Sequence, residues 1–383
     1  MKFFHLSDLH IGLKLMNRDL REDQEYILHQ IATLAREQKP DAIVIAGDIY
    51  DKSIPPAEAV EVFDSFVSSL RHACPSAHIM MISGNHDSAP RINVFRGVLR
   101  DQNIHMIGVP PQKPEEPIEQ VTLHDSFGLV HFYLLPFMRP SMMKSVLGTD
   151  EKGNILSYDE TVRRMILREE ICESERNVLV SHQFYLPVGT EADKVERMDS
   201  EVRTIGNIDE VRSDILERFD YAALGHIHKP MQAGSERIRY CGTPLACSVS
   251  EAGQEKAVLC VELKEKGEVQ VNRLPLFPLR QVRVISGSLE EVCAQGCDDY
   301  VTVVLTDGYE SNWLDAPDLI RRAFPNLLEI RRQDRKVMDT EQETIPQTRQ
   351  DPFDLCKDFL QDLTPEEEEL LKDIVNRVGE VVL

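Results

Sequence analysis

No run of about 18 apolar residues, the length needed to cross a bilayer as a helix, occurs in this 383-residue chain. The opening MKFFHLSDLH turns polar and charged too early for a secretory signal peptide, so the expected location is the cytoplasm. CxxC pairs are missing as well. The eight cysteines (74, 172, 241, 247, 260, 293, 297 and 356) are scattered and read as reduced thiols, mostly buried as small apolar residues. Cys293 and Cys297 stand four apart on an expected helix, but a structural zinc would need a second pair. Basic residues are scarce: 43 Lys and Arg face 65 Asp and Glu, a formal net charge of -22. That balance argues against a general electrostatic affinity for nucleic acid or an anionic membrane. Any DNA binding would need local positive charge from bound divalent ions or a basic partner subunit.

What is present is a globular composition, 42% apolar, in a chain long enough for two or three folding units. Residues 1–275 alternate strand and helix signals. Apolar residues at Leu20, Ile27, Ile31 and Leu34 follow a helical period that Pro40 closes. "DAIVIAGD" is a continuous β-branched run suited to a strand covered on both faces. A helix over about 56–72, the strand "HIMMISGN" and a helix over about 92–100 are expected next. Further on, hairpins should turn near Ser126–Gly128 and at Lys266–Gly267, and "NVLVSHQ" and "YAALGHIH" read as strands ending in histidine. Later strands read as antiparallel. The expected fold class is α/β, a mixed β-sandwich with helices outside.

The two prolines of "LPLFPLRQV" mark a boundary, and residues 276–333 read as a small βαβαβ domain. Residues 334–350 are polar and aperiodic, as in a linker. Residues 351–383 predict a helix pair: Asp351-Pro352 fits an N-cap and first position, and Thr364-Pro365-Glu366-Glu367 is a capping box. The faces Cys356/Phe359/Leu360/Leu363 and Leu371/Ile374/Val375/Val378 are apolar, in a segment with ten acidic and three basic residues. Such a pair either packs back on its own domain or docks on a partner.

Five stretches share one design, a β run followed by a turn and metal-ligand residue types. They are "SDLH" (Asp8, His10), "AGDIYD" (Asp48, Asp51), "SGNHD" (Asn85, His86, Asp87), "VSHQ" (His182) and "LGHIH" (His226, His228). In Asp8/His10 and His226/His228 the two residues are two apart, which in extended backbone points both side chains one way. Glycines 47, 84 and 225 precede the ligand types, where a backbone must come close to a site. Any one stretch alone reads as a hydrogen-bonded polar pair at a strand end. Together, five such ends on one rim would bury polar groups at a cost of about 2 kcal/mol or more each if unpaired. A metal pair removes that cost. Carboxylate, amide and imidazole ligands without thiolate suit Mn²⁺, Fe²⁺ or Mg²⁺. A carboxylate bridging two such ions suits in-line phosphoester hydrolysis.

In this order, D-x-H, G-D-x-x-D, G-N-H-D, a lone His and G-H-x-H resemble the signature of the metallophosphoesterase (calcineurin-like) superfamily. The opening "FFHLSDLHIG", the stretch "FDYAALGHIHKP" and the small domain, linker and helix pair that follow resemble more narrowly the nuclease-subunit family of bacterial SbcCD-type complexes. The resemblance spans essentially the whole chain and is strongest over its first 245 residues. It implies two Mn²⁺ ions, with Mg²⁺ or Fe²⁺ as alternatives. Asp8, His10 and His228 would hold one ion, Asn85, His182 and His226 the other, with Asp48 bridging. His86 would be the non-ligand catalytic histidine at the scissile phosphate. Asp51 stands where phosphatases of the superfamily carry the Asp that orients it, whereas the archaeal nucleases have a histidine there. The resemblance further implies a homodimer, a DNA-capping role for residues 276–333, and docking of residues 351–383 on an SMC-like ATPase subunit of the SbcC type. Its substrates would be double-stranded DNA ends and hairpins. The rival functions are a small-molecule phosphodiesterase or phosphatase on the same fold, and a scaffold with a degenerate site. Histidines 5, 29, 72, 78, 105, 124 and 131 fall outside the motifs and are expected to be structural or on the surface.

Overall fold

The computed structural model describes residues 1–190, 198, 201, 209–306, 315–332, 352–360 and 363–382. The segment expected as a linker, 334–350, and the expected N-cap Asp351 lie outside these residues. Two compact units form: Met1–Glu201 together with Glu210–Arg332, and a second that contains the C-terminal helices.

Alternation along the strands of the first unit builds two stacked sheets. In one sheet the order is Val269–Leu276, Lys256–Leu263, Lys2–Leu6, Ala42–Ala46, His78–Ile82, Ile104–Ile107. In the other it is Met231–Gln232, Ile238–Tyr240, Tyr221–Gly225, Arg176–His182, Gly128–Leu135, Glu119–Asp125. Phe3, Val44, Phe132, Val178 and Tyr221 point inward and join in the core between the sheets. Their neighbours point the other way. Phe4, Ile43 and Ile45 pack outward against Ile27, Ile31 and Phe66 of helices Arg21–Gln38 and Ala57–Ala73. Leu179 and Leu224 pack outward with Met143, Val162 and Met165 of helices Pro140–Leu147 and Tyr158–Leu167. The result is a helix–sheet–sheet–helix sandwich, so the expected fold class holds. His5 is buried in it, with Nδ1 3.0 Å from the Tyr221 hydroxyl and Nε2 3.1 Å from the Leu224 carbonyl.

Two expectations need correcting. Strands Gly128–Leu135, Arg176–His182, Tyr221–Gly225 and Ile238–Tyr240 are mutually parallel; antiparallel pairing in that sheet is confined to its two edge pairs. The crossover that parallel pairing requires runs through helices Pro140–Leu147 and Tyr158–Leu167. The single helix expected over 92–100 is two short ones, Ala89–Ile92 and Arg96–Arg100, broken at Phe95, whose φ is 61°.

A third, all-parallel sheet, Val282–Gly287, Tyr300–Leu305 and Leu327–Arg332, carries helices Leu289–Cys293 and Ala316–Ala323. Cys297 lies beyond the end of the first of these helices, so it does not share a helix with Cys293. Ile285, Val292, Val301, Val303, Ile320 and Phe324 form its own core. It is joined to the sandwich through Asp23, which accepts from Arg280 Nη1 at 2.9 Å and from the Tyr300 hydroxyl at 2.7 Å.

In the second unit, helices Pro352–Leu360 and Pro365–Val382 are described. Thr364 starts the latter with a capping box: its N–H and Oγ donate to Glu367 Oε2 at 2.8 and 2.7 Å, and Glu367 N–H donates back at 3.4 Å.

Candidate metal centre

Parallel strands bring their C-terminal ends to one rim, which is where α/β sheets offer a site. Lys2–Leu6, Ala42–Ala46 and His78–Ile82 lie parallel and lead into Asp8/His10, Asp48 and Asn85/His86 respectively. In the second sheet His182 pairs in register with Gly225, which places His226 and His228 beside it. His182 Nδ1 lies 2.7 Å from the Ala46 carbonyl and so joins the two sheets at this edge.

The chain does not reach the site in extended form. Asp8 (φ 53°), His10 (42°), Asp48 (48°) and His226 (103°) all adopt positive φ. Side-chain convergence at Asp8/His10 and His226/His228 therefore comes from sharp turns, not from strand alternation. Non-glycine residues in this region cost about 1–3 kcal/mol each and persist where the surroundings over-determine them, commonly at functional sites. Close approach explains the glycines: a Cβ at Gly84 would sit 2.1 Å from Asp48 Oδ1, and one at Gly225 1.9 Å from the Ala46 carbonyl oxygen.

Two groups of ligand atoms result. His10 Nε2 and His228 Nε2 are 3.1 Å apart, and one ligand atom from each of Asp8, His10 and His228 lies within 4.8 Å of the others. In the second group, Asn85 Oδ1 is 3.0 Å from both His182 Nε2 and His226 Nδ1. Asp48 Oδ2 stands between them, 3.3 Å from His182 Nε2 and 3.7 Å from His10 Nε2. All seven residues expected as ligands thus meet at one place.

The donor chemistry fits metal. His182 Nδ1 must donate to the Ala46 carbonyl, so its Nε2 faces two oxygen acceptors with either a proton or a cation between them. Asp8, His10, Asp48, His182 and His228 are each no more than 2% exposed. Buried carboxylates at this density need cations. Burial pushes the Asp8 carboxyl up. Burial opposes the charge on Asp48 too, but His182, His86 and His10 outweigh it and hold that carboxyl well below its ordinary range. For His182 burial is likewise overcome by Asp48, which lifts the imidazole to about 9. Burial drives His10 the opposite way, well below its ordinary value. A cation taken up at His182 would therefore have to displace a proton.

His86, next to Asn85 in the chain, is in neither of these two groups, although one of its ring nitrogens lies within 4.8 Å of ligand atoms of His10 and Asp48. Its N–H donates to Asp48 Oδ1 at 2.9 Å, and its Nδ1 lies 2.9 Å from the Asp51 carbonyl oxygen. The Asp51 carboxylate instead lies 3.7 Å from His10 Nδ1. The hydrogen bond between Asp51 and His86 is therefore made by the Asp51 backbone carbonyl.

Several residues that hold the site were not singled out for that work in the sequence. Asp87, grouped above with ligand types, is in neither group and accepts three backbone N–H groups: Ile49 at 3.0 Å, Tyr50 at 2.9 Å and Gly84 at 2.9 Å. Burial, then Asp48, raises its carboxyl to about 6. It staples the Asp48 loop to the Asn85 loop. Asp87→Ala strands three donors and should lower the unfolding free energy by about 3 kcal/mol; an unchanged urea midpoint would remove this role. Gln24 donates to the His10 carbonyl at 2.7 Å and accepts from Gly12 N–H at 3.0 Å. Ser7 Oγ bonds the Asp8 carboxylate. For Ser7 and Asp87 adjacency to motif residues was the only sequence signal, and Gln24, 14 residues from His10, carried none.

The sequence model described as calcineurin-like phosphoesterase matches residues 1–230. A second, SbcD_C, described as type 5 capsule protein repressor C-terminal domain, matches residues 278–364. Among solved structures, Plasmodium GAP50, titled the anchor in the inner membrane complex, is 11% identical over 89% of this chain and 99% of its own, with a TM-score of 0.39. A dimetal phosphatase from Danio rerio is 12% identical over 74% and 99%, with a TM-score of 0.38. No helix among the described residues is long and apolar enough to cross a membrane.

Proposed function

Because this chain belongs to the calcineurin-like phosphoesterase family, we propose that it is the nuclease subunit of an SbcCD-type complex, a Mn²⁺-dependent exonuclease and endonuclease acting at DNA ends and hairpins. One observation carries this reading beyond phosphoester hydrolysis: the phosphoesterase match over residues 1–230 and the SbcD_C match over 278–364 stand in the same chain.

Asp8, His10 and His228 are the residues we assign to one ion, Asn85, His182 and His226 to the other, and Asp48 to both. Bound there, a pair of divalent ions would supply Lewis-acid polarisation of the phosphoryl oxygens and an activated water. Everything else is the work of the chain. Asp48 and His182 fix the spacing of the two groups, since His182 is itself fixed on the Ala46 carbonyl. His86 has Nδ1 engaged by the Asp51 carbonyl, so Nε2 is the nitrogen left to donate to the phosphate or to the departing oxygen. With a net charge of -22, the chain is expected to bind DNA through the ions and a basic partner surface, not by its own field.

For the partner, the C-terminal helices are the segment we assign to an SMC-like ATPase. Phe359 is 86% exposed, and Leu360, Leu370 and Ile374 are exposed as well. Large apolar side chains displayed in this number suit a helix-in-groove contact. Deleting residues 351–383 should leave a folded, metal-binding hydrolase that no longer co-purifies with the ATPase. Unchanged co-purification would contradict the assignment. Homodimerisation belongs to the same reading, and light scattering on the isolated chain measures it.

The function is tested by incubating the chain, alone and with its ATPase partner, with Mn²⁺ and end-labelled duplex DNA beside bis(p-nitrophenyl) phosphate. Metal-dependent cleavage of the DNA is the expected result. Cleavage of the small diester with DNA intact in every condition would make the protein a small-molecule phosphodiesterase; cleavage of neither would make it a scaffold.

A further inference from the structure

Behind His228, on the side away from His10, lies a buried charged cluster that the metal ligands do not account for. Glu251 ends the 3-10 turn Val249–Glu251 and is 1% exposed. Its Oε2 accepts from Thr243 Oγ at 2.8 Å and from Lys256 Nζ at 2.5 Å. Its Oε1 accepts from Cys247 N–H at 3.1 Å and Ser248 Oγ at 3.3 Å, and lies 3.5 Å from His228 Nδ1. Lys256, 5% exposed, also donates to Thr243 Oγ at 2.7 Å and Gln254 Oε1 at 3.1 Å. Sequestering a carboxylate and an ammonium together gains little stability over an apolar pair of similar volume, so stability alone does not explain the pair.

We infer that Glu251, held by Lys256, is a positioning residue that fixes the tautomer and orientation of His228. A carboxylate at Nδ1 keeps the proton on that nitrogen and leaves Nε2 bare. That Nε2 is the atom 3.1 Å from His10 Nε2. Ligand atoms of His228, Cys247 and Glu251 also lie within 4.8 Å of one another, as a separate metal site would require. Both Glu251 oxygens are already engaged, Oε2 by Lys256 and Thr243 and Oε1 by Cys247 N–H and Ser248 Oγ, so Glu251 orients a ligand and is not one. Lys256 has the complementary task of cancelling the Glu251 charge, which would otherwise draw a proton or a stray cation.

This inference rests on His228 being a metal ligand, and the test separates the two claims. Mn²⁺ binding is measured by titration calorimetry and by electron paramagnetic resonance on the full chain. Wild type should take up two ions with a spin-coupled dinuclear spectrum; failure there overturns the two-ion assignment itself. Glu251→Gln should weaken one of the two ions by about 10–100-fold, leaving a mononuclear six-line spectrum when Mn²⁺ is limiting. Since Glu251→Gln leaves Lys256 buried alone, the double variant Glu251→Gln/Lys256→Met removes both charges and provides a second arm. If the pair were merely structural, this double variant would regain two-ion binding at wild-type affinity, and that result would overturn the inference. A double variant that cannot be purified folded would also overturn it, by assigning the pair to the fold. Retention of the single-ion spectrum in a folded double variant is the expected result.

Discussion

His86→Ala is expected to reduce phosphodiester hydrolysis by about 10²–10⁴-fold, the range for loss of a positioned acid–base group, with two metal ions still bound. His86 comes within 4.8 Å of ligand atoms of His10 and Asp48, but its ring is anchored differently from the residues assigned to the ions. Asn85 Oδ1 is in contact with His182 and His226, whereas the His86 ring is anchored by Nδ1 on the Asp51 carbonyl and packs edge-on to His10 at 4.8 Å between centroids. Removing the ring leaves the Asp48 contact in place, because that contact is made by the His86 backbone N–H. Loss should therefore appear in the chemical step and not in metal content. Asp51→Asn keeps the carbonyl that holds His86 but alters the carboxylate 3.7 Å from His10 Nδ1, so its loss should appear in metal affinity, with turnover of the metal-saturated protein staying within about tenfold, the scale of roughly 1.4 kcal/mol. Elemental analysis checks the premise, and metal loss in His86→Ala would place this histidine among the ligands.

Gly225→Ala is expected to be the most damaging single methyl group in the sandwich. Its Cβ would lie 1.9 Å from the Ala46 carbonyl oxygen, 2.8 Å from His182 Nδ1 and 2.9 Å from Ser7 Cβ. The first is backbone in the opposite sheet, so relief requires moving strand Tyr221–Gly225 against Ala42–Ala46. Overpacking of this kind costs about 3 kcal/mol, at the upper end of its range. The damage extends to function, because the displaced carbonyl is the acceptor that fixes His182. Urea denaturation should show the lower stability, and the folded fraction should bind fewer than two ions. Wild-type stability and metal content together would mean that the sheets are less tightly apposed here than the structure shows.

The chemistry of the site was legible in the sequence because it depends on residue type and order. Asp8, His10, Asp48, Asn85, His182, His226 and His228 each follow a recognisable β run, and parallel strands carry them to one edge. Their local conformation was not legible. Positive φ at Asp8, His10, Asp48 and His226 is imposed by tertiary contacts, such as His226 N–H donating to Asp8 Oδ1 at 3.0 Å across 218 residues. The same limit hid the work of Glu251 and Asp87, whose partners are distant in sequence or are backbone groups. It also explains the two errors of fold. Strand direction in the second sheet depended on crossover helices Pro140–Leu147 and Tyr158–Leu167, which were not among the elements expected from the sequence. The break at Phe95 depended on a left-handed residue with no glycine to announce it.

Anomalous diffraction from Mn²⁺-soaked crystals tests most directly whether Asp48 lies between two bound ions. Two peaks per chain are predicted, one among Asp8, His10 and His228 and one among Asn85, His182 and His226, with an Asp48 carboxylate oxygen reaching both. A single peak, or density placed among His228, Cys247 and Glu251, would contradict it.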